Sequence, residues 1–303
     1  MQTSANWAEL LEPTLYDIFD FYGPAKKLPD MIGKLFNHRK ANKATMTVLQ
    51  RGSIGMMSKW SESNNQVSYD TVSKGWKTEF AMEKYSNGLK IERELWDDDQ
   101  FDEIQGLTEE LAFSVYYTRQ YQAASVFNNA FNAGYAGADS AALCANSHTL
   151  VPSGSVTIDN LDTLELNAAN VETVRNRMKL WTDDRGNIIP MNPDTLLVPP
   201  GKRKAALVIA DSDKEPDVAD NNVNVWKGAL NVIEWEMLTS TTAWFMLDSA
   251  RTKRDLFWWD KRVPKLERDG DNFDTEVAKW KTVGRWQYGW RSPLFVYGLN
   301  ATT

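Results

Sequence analysis

The chain has 303 residues, 42% hydrophobic and 25% charged, as expected for a globular protein with a sizeable core. Its net charge of -7 disfavours a dedicated nucleic-acid reader, because such proteins neutralise phosphates with basic patches. One cysteine, Cys144, excludes an internal disulfide, and the lack of an apolar run of roughly 18 residues excludes a membrane helix, so the sequence predicts a cytoplasmic protein.

The first segment, residues 1–44, is expected to hold one amphipathic helix and to be basic towards its end. An apolar stripe from Leu10 to Phe19 indicates the helix, and a turn with proline and glycine follows it. The plain interpretation of the basic cluster is a solvated surface, and the alternative is non-specific contact with bound nucleic acid. The candidate DNA-facing residues are Lys26, Lys27, Arg39 and Lys40.

Residues 45–84 are expected to form a long two-stranded β-ribbon. Two partly alternating runs, 45–49 and 67–72, flank a polar tip at 60–66, and glycines punctuate them. An isolated ribbon of two strands is marginally stable in water, so a ribbon this poor in core-facing residues is expected to pack on a neighbouring subunit. The candidate subunit-interface residues are Met56, Met57, Trp60, Val67, Tyr69 and Trp76.

The longest helical pattern runs from Gln100 to Phe131, where apolar residues recur at helical spacing and no proline interrupts them. The rise of about 1.5 Å per residue gives a helix roughly 45 Å long. The acidic run 97–99 is expected to stabilise the N-terminal end of this helix. The apolar residues predicted to face a C-terminal sheet are Leu107, Leu111, Val115 and Phe127.

The second half of the chain divides into two blocks. Residues 166–248 alternate helix and strand and predict a compact α/β unit. Residues 249–303 are rich in strand patterns and tryptophan, and they are expected to complete a sheet begun earlier in the chain. Core packing is the expected role of these tryptophans, with subunit contact as the alternative. Within the first block the predicted elements are helices at 166–180 and 201–210 and strands at 195–198, 226–235 and 243–248.

Residue counts exclude most catalytic and metal sites. With only His38, His148 and Cys144 available, one subunit cannot supply four Cys/His ligands for structural zinc. Cys144 and His148 as a nucleophile and its base remain an alternative, although their segment has the composition of a loop. The acidic run 211–217 has a proline where a calcium loop needs glycine, so a surface loop is expected. The sequence therefore predicts no catalytic residue, cofactor or metal.

The order of these parts resembles the HK97-fold major capsid proteins of tailed bacteriophages, and among them the Mu-like major head subunits. The resemblance covers nearly the whole chain, from the ribbon through the long helix to the C-terminal strands. The segments that carry it are 53–57, 69–70, 90–99, 143–148 with Gly154 and 160–161, 196–200, 231–233, 244–248 and 289–290.

This resemblance implies an α+β capsid fold and a structural protein that self-assembles, as pentamers and hexamers, into an icosahedral virion shell around double-stranded DNA. The implied partners are a separate scaffolding protein, a portal, decoration proteins and the packaged DNA, with assembly in the cytoplasm of a host bacterium. The implied parts are an N-terminal arm (1–44), an extended loop (45–84), a peripheral domain (85–165) with a spine helix (100–131), an axial domain (166–248) and a return to the peripheral domain (249–303).

Two other functions stay open. One is the shell of a cellular compartment with the same fold, of the encapsulin type. The other is a carbohydrate-active enzyme with paired carboxylates, which the acidic and tryptophan content would suit, although no acidic pair lies in a recognisable barrel pattern. Relatives of the resembled family also make lysine–asparagine cross-links, for which Lys59, Lys77 and Asn300 are the candidates. Such a bond needs a carboxylate in a dry pocket, and we expect none to form.

Overall fold

The described helices and strands extend from Trp7 to Leu299. The longest helix among them has 28 residues and the longest strand has 14. The structure is a computed structural model that describes residues 7–21, 28–57, 59–60, 67, 69–98, 101–214, 223–268 and 277–301.

Two of the described helices are longer than the others and pack against each other. Leu15 and Phe19 of the first meet Ile104 and Leu111 of the second in one apolar cluster. In chain order the helices are α1 (Trp7–Phe21), α2 (Met31–Leu35), α3 (Arg93–Asp97), α4 (Phe101–Asn128), α5 (Ala168–Lys179), α6 (Arg203–Asp211) and α7 (Ser249–Asp255).

Most of the described strands belong to two five-stranded sheets, and the rest form two separate pairs. In chain order they are β1 (Asn37–Lys40), β2 (Thr45–Arg51), β3 (Lys74–Ala81), β4 (Glu83–Glu92), β5 (His148–Thr149), β6 (Thr157–Ile158), β7 (Leu161–Asp162), β8 (Thr195–Val198), β9 (Asn231–Glu234), β10 (Trp244–Leu247), β11 (Leu256–Arg262), β12 (Leu266–Arg268), β13 (Val277–Trp290) and β14 (Val296–Leu299).

The first sheet is organised around β13, which pairs antiparallel with β4, β11 and β12. Strand β1 extends the sheet by running parallel to β11. Helix α4 packs against this sheet because its apolar stripe meets Ile91 of β4 and Trp280 of β13. The tryptophans of residues 249–303 are buried, as the sequence predicts. They supply much of the apolar area that holds the sheet and helix together.

The second sheet has the order β7-β14-β10-β8-β9 and is buried on both faces. In β10, Trp244 and Met246 join the cluster that also contains Val171 of α5, while Phe245 and Leu247 turn to the opposite face. This alternation follows from the two-residue period of a strand, and the uninterrupted apolar run follows from burial on both faces. Helix α6 connects the parallel strands β8 and β9.

Several predicted elements differ in extent or placement from those in the structure. Only Asn231–Glu234 is a strand within the predicted 226–235. The exposed side chain of Leu107 does not belong to the apolar stripe of α4, whereas Leu111 is buried as predicted. Asp97 is the last residue of α3, and its Oδ2 lies 3.2 Å from Arg93 Nε. Its charge is therefore paired within α3 and does not stabilise the N-terminal end of α4 as predicted. The last strand, β14, joins the second sheet beside β10 instead of returning to the first.

Candidate subunit interface

The ribbon predicted at 45–84 is present as a separate antiparallel pair. Strand β2 pairs with β3 from Thr45 opposite Ala81 to Arg51 opposite Lys74, with a shift in register beyond Leu49. Between these strands, the described residues of 52–73 contain no helix or strand. The ladder therefore fixes the root of the loop, and the remaining part depends on side-chain contacts for its direction.

The root of the loop packs on the body of its own subunit. Phe80 is buried, and its ring centroid lies 6.1 Å from that of Phe257 and 6.5 Å from that of Trp259, both on β11. Met82 lies in the same cluster. The expectation that the whole ribbon lacks a partner in its own chain is therefore wrong at the root. This contact could not be predicted from local sequence patterns, because β3 and β11 are far apart along the chain.

Beyond the root, the loop exposes large apolar side chains to solvent. Met57 is 98% exposed and Tyr69 is 91% exposed, and the other predicted interface residues Met56, Trp60 and Val67 are exposed as well. Several large apolar side chains exposed within one segment of a monomer favour a site of protein association. We call the described exposed residues Ile54, Met56, Met57, Trp60, Val67 and Tyr69 the loop tip.

The sixth predicted interface residue, Trp76, lies at the root and faces its own subunit. Its indole Nε1 donates a hydrogen bond to the Thr149 carbonyl at 2.8 Å, and the side chain is half-buried. This bond joins β3 to the short β5–β6 hairpin. Trp76 thus contributes to how the root sits on the body.

A contact that the sequence analysis missed lies between the loop and the turn after α5. The guanidinium of Arg185 bonds Asp70, Ser53 and Thr71, and the Asp184 carboxylate accepts the Ser53 amide at 2.8 Å. More than 100 residues separate the partners along the chain, as the separations of 131 and 115 show. No short motif signals such a contact.

The candidate DNA-facing residues divide between described and undescribed parts of the chain. Lys26 and Lys27 lie outside the described residues. Arg39 and Lys40 lie on β1 and are exposed. The Arg39 guanidinium is 5.5 Å from the ring centroid of Phe257, a cation–π distance.

The Cys144 and His148 alternative is not supported by the surroundings of the two side chains. Cys144 is buried, and burial raises the pKa of its thiol, which opposes formation of the nucleophilic thiolate. The Nδ1 atom of His148 lies 2.6 Å from Asp139 Oδ2 in a buried pair. Among the described residues, no group of His, Cys, Asp or Glu has the arrangement of a metal site. None of the helices described combines the length and apolar character that a membrane crossing requires.

The protein thus has a body of two sheets and a long helix, and a loop whose large apolar side chains are exposed to solvent. Sequence comparison matches residues 77–299 to the phage capsid protein family. The chain therefore belongs to the phage capsid protein family. No curated protein is similar to it in sequence.

Three solved structures that resemble this chain in fold are distant from it in sequence. The capsid of the native GTA particle has a TM-score of 0.58 at 11% identity, with 93% of each chain covered. The capsid of the cyanophage P-SCSP1u has a TM-score of 0.56 at 12% identity, covering 92% of this chain and 90% of that one. The bacteriophage JBD30 capsid has a TM-score of 0.55 at 12% identity, covering 70% and 92%.

These comparisons confirm the predicted HK97-like α+β capsid fold. They also confirm the predicted function, that of a major capsid protein whose copies assemble into the shell of a tailed-phage virion. The family match gives no support to the compartment-shell or carbohydrate-enzyme alternatives.

Proposed function

We propose that the loop tip is the surface with which each shell subunit covers a neighbouring copy in pentamers and hexamers. The observation that carries this proposal is the exposure of large apolar side chains along 54–69 in a protein whose other large side chains are mostly buried. Burial of apolar surface stabilises by roughly 25 cal/mol per Å². The exposed side chains of the loop therefore contribute this stabilisation only when a neighbouring subunit covers them.

The division of the chain follows from the same proposal. Residues 1–44 act as the N-terminal arm, 45–84 as the extended loop and 85–165 as the peripheral domain with its spine helix at 100–131. Residues 166–248 act as the axial domain, and 249–303 return to the peripheral domain through β11–β13. The pairing of β14 with β10 means that the end of this last segment also supports the axial sheet.

The finer partners are inferred from the function of a shell. We assign the chain to the Mu-like branch, with a separate scaffolding protein, a portal and decoration proteins, and with assembly in the cytoplasm of the host bacterium. Exposed Arg39 and Lys40 on β1 support diffuse, non-specific contact with packaged double-stranded DNA. The acidic net charge of the chain disfavours sequence-specific readout.

The subunit acts mechanically, without catalysis. Lys77, the described lysine on β3 that could form a cross-link, pairs with Glu79 on the exposed side of the ribbon. A cross-link of this kind needs a carboxylate in a dry pocket beside the lysine, whereas the Lys77 and Glu79 side chains are each 54% exposed. Boiling mature particles in detergent should therefore release one band at the monomer mass of 34.5 kDa. A ladder of multimers on that gel would overturn this part of the proposal.

Electron microscopy of the purified protein tests the interface itself. The wild-type chain should give closed particles or curved sheets, and the double variant Met56→Ser with Met57→Ser should give few or none. Leu180, at the C-terminal end of α5 in the proposed axial domain, provides a control, because Leu180→Ser removes a 70% exposed apolar side chain far along the chain from the loop tip. Normal particles from the double variant would contradict the proposal.

A further inference from the structure

We propose that Arg185 is a positioning residue for shell assembly, fixing the direction in which the extended loop leaves the body of the subunit. This inference rests on the proposed function of the loop tip as the contact with a neighbouring copy. We call the residues that make the attachment, Ser53, Gly55, Asp70, Thr71, Asp184 and Arg185, the loop latch.

Arg185 joins both limbs of the loop with one side chain. Its Nε donates to the Ser53 carbonyl at 3.0 Å on the outgoing limb. On the returning limb, Nη2 donates to Asp70 Oδ1 at 2.9 Å and to the Thr71 carbonyl at 2.6 Å, while Nη1 lies 2.8 Å from Asp70 Oδ2. A planar guanidinium with several fixed donors suits this task, whereas a lysine would make fewer of these bonds.

The carboxylates of the latch hold the two limbs to each other and to the body. Asp70 Oδ2 accepts the Gly55 amide at 2.9 Å, which closes the outgoing limb onto the returning one. Asp184 Oδ1 accepts the Ser53 amide at 2.8 Å from the side of the body. The attachment therefore fixes the separation of the limbs as well as their direction.

The turn that carries Arg185 is itself held in one conformation. Asp183 Oδ1 accepts the Arg185 amide at 2.9 Å and the Asn187 amide at 2.8 Å. Gly186 has a φ of 81°, a left-handed conformation that glycine adopts at low cost. A bridge between Thr182 and Ile188 closes the turn below these bonds. The guanidinium is thus presented by a pre-organised platform rather than by a free loop.

Two glycines let the loop approach this platform closely. A Cβ atom on Gly52 would lie 2.5 Å from Asp184 Oδ2, and one on Gly55 would lie 2.9 Å from Asp70 Oδ2. Both distances are shorter than van der Waals contact. The glycines that punctuate the ribbon in the sequence thus stand where the latch closes.

The exposure of the latch indicates positioning rather than support of the fold. The side chains of Arg185 and Asp70 are 31% and 37% exposed, and ion pairs at such sites add little to the free energy of unfolding. However, the described residues between β2 and β3 have no strand pairing to set their direction. Pre-organising a binding segment lowers the entropy cost of association, which is what the latch does for the loop tip.

Hydrogen exchange and electron microscopy together test the assignment. We expect Arg185→Ala to speed exchange of the Ser53, Gly55 and Thr71 amides in the unassembled full-length subunit by about tenfold, through more frequent local opening. We also expect it to reduce the yield of closed particles, with the melting temperature unchanged. Arg185→Lys should give intermediate values of both. The matched control is Arg203→Ala. It removes an exposed arginine on α6 whose Nε lies 2.9 Å from Glu234 Oε2.

The outcomes separate this inference from the proposed interface. If Arg185→Ala speeds exchange but particles form at the wild-type yield, the positioning role is wrong, while the interface stands if the Met56 and Met57 double variant still fails to assemble. Unchanged exchange in Arg185→Ala also overturns the inference. If that double variant assembles normally, the interface is wrong and the inference falls with it. Should Arg185→Ala fail to fold, Asp70→Asn weakens the same bonds from the side of the loop and decides the question.

Discussion

The body and the extended loop use the same types of large side chain in opposite ways. Trp244 and Trp258 are fully buried in the body, whereas Trp60 and Met57 of the loop tip are exposed. Burial of such side chains in the body is a major source of folding free energy. The same residue types in the loop contribute less to the fold of one subunit, because they are largely exposed. Under the proposed function they contribute when subunits associate, and folding and assembly then depend on different parts of the chain.

Charged pairs show the same contrast between the two regions. In the body, Arg119 donates to Asp260 Oδ1 at 3.1 Å and Oδ2 at 2.9 Å, and both side chains are almost fully buried. The guanidinium also lies 5.1 Å from the ring centroid of Trp258. Where the loop attaches to the body, Arg185 and Asp70 form a pair that solvent reaches. Removing one partner of the Arg119–Asp260 pair should therefore destabilise the body strongly. Removing one partner of the Arg185–Asp70 pair should change the direction of the loop with little effect on the free energy of unfolding.

The largest expected effect comes from placing a charge in the body. Leu111 of α4 is 5% exposed, so Leu111→Asp buries an unpaired carboxylate at a cost of several kcal/mol, and we expect insoluble expression. Leu107, four residues earlier on the same helix, is 38% exposed and provides the control. Leu107→Asp should remain soluble with a nearly unchanged melting temperature. A soluble, assembled Leu111→Asp protein would show that this face of α4 is not a core face.

The next effect comes from breaking the buried ion pair. Arg119→Ala removes a two-bond partner of the buried Asp260 carboxylate. The carboxylate keeps its contacts with His38 and the Trp258 indole, so the loss should approach but not exceed about 3–5 kcal/mol, the cost of a broken buried pair. Urea unfolding should measure this loss in the wild-type chain and the variant at neutral pH. Arg203→Ala removes an exposed pair and should cost no more than about 1 kcal/mol. Equal losses in the two variants would contradict the contrast between buried and exposed pairs.

Sequence patterns predicted those parts of the body in which the pattern is local. Helix α4 follows from helical periodicity, and β8 and β10 follow from short apolar runs bounded by turn residues. The contacts of the loop root did not follow, because Phe80 meets Phe257 across a large part of the chain. Helical periodicity also assigned Leu107 to the buried stripe of α4, whereas the buried residues there are Ile104, Thr108, Leu111 and Ala112.

The candidate interface could be predicted in composition but not in attachment. The apolar residues of the loop tip are visible as residues without a core pattern around them. The loop latch could not be predicted from the sequence. Arg185 is 115 residues from Asp70 along the chain and lies in a turn with no recognised motif. An arginine in an Asp-Asp-Arg-Gly turn reads as an ordinary surface residue until the fold brings the loop beside it.

A smaller effect on stability is expected at the loop tip, where assembly should respond instead. Met56→Ser with Met57→Ser changes two exposed side chains and should alter the free energy of unfolding by less than about 0.5 kcal/mol per site. Circular dichroism should show an unchanged thermal transition, while light scattering should show lost or slower particle growth. A clear fall in melting temperature would instead mean that these methionines pack within their own subunit.

The smallest expected effect on stability comes from a change in pH. Acid should open the loop latch through protonation of Asp70 while the body remains folded. A hydrogen bond from the Gly55 amide and then one from Arg185 hold the pKa of Asp70 below its ordinary value of 3.8. A carboxylate with a lowered pKa keeps its bonds above that ordinary value and loses them as the pH falls through the lowered one. The latch should therefore stay closed from pH 8 to about pH 5 and open only in stronger acid.

Pepsin cleavage of the loop at pH 2 to 4 should measure this opening, with near-UV circular dichroism as a check that the body remains folded. The ratio of wild-type to Asp70→Asn cleavage between residues 54 and 72 should rise as the pH falls below 3.8, because the pH dependence of pepsin itself is common to both proteins and cancels in the ratio. The body has its own acid-sensitive group, because bonds from His38 and Arg119 outweigh the effect of burial and hold the pKa of Asp260 below its ordinary value. Loop opening near pH 6 would point to a histidine and would contradict the assignment to Asp70.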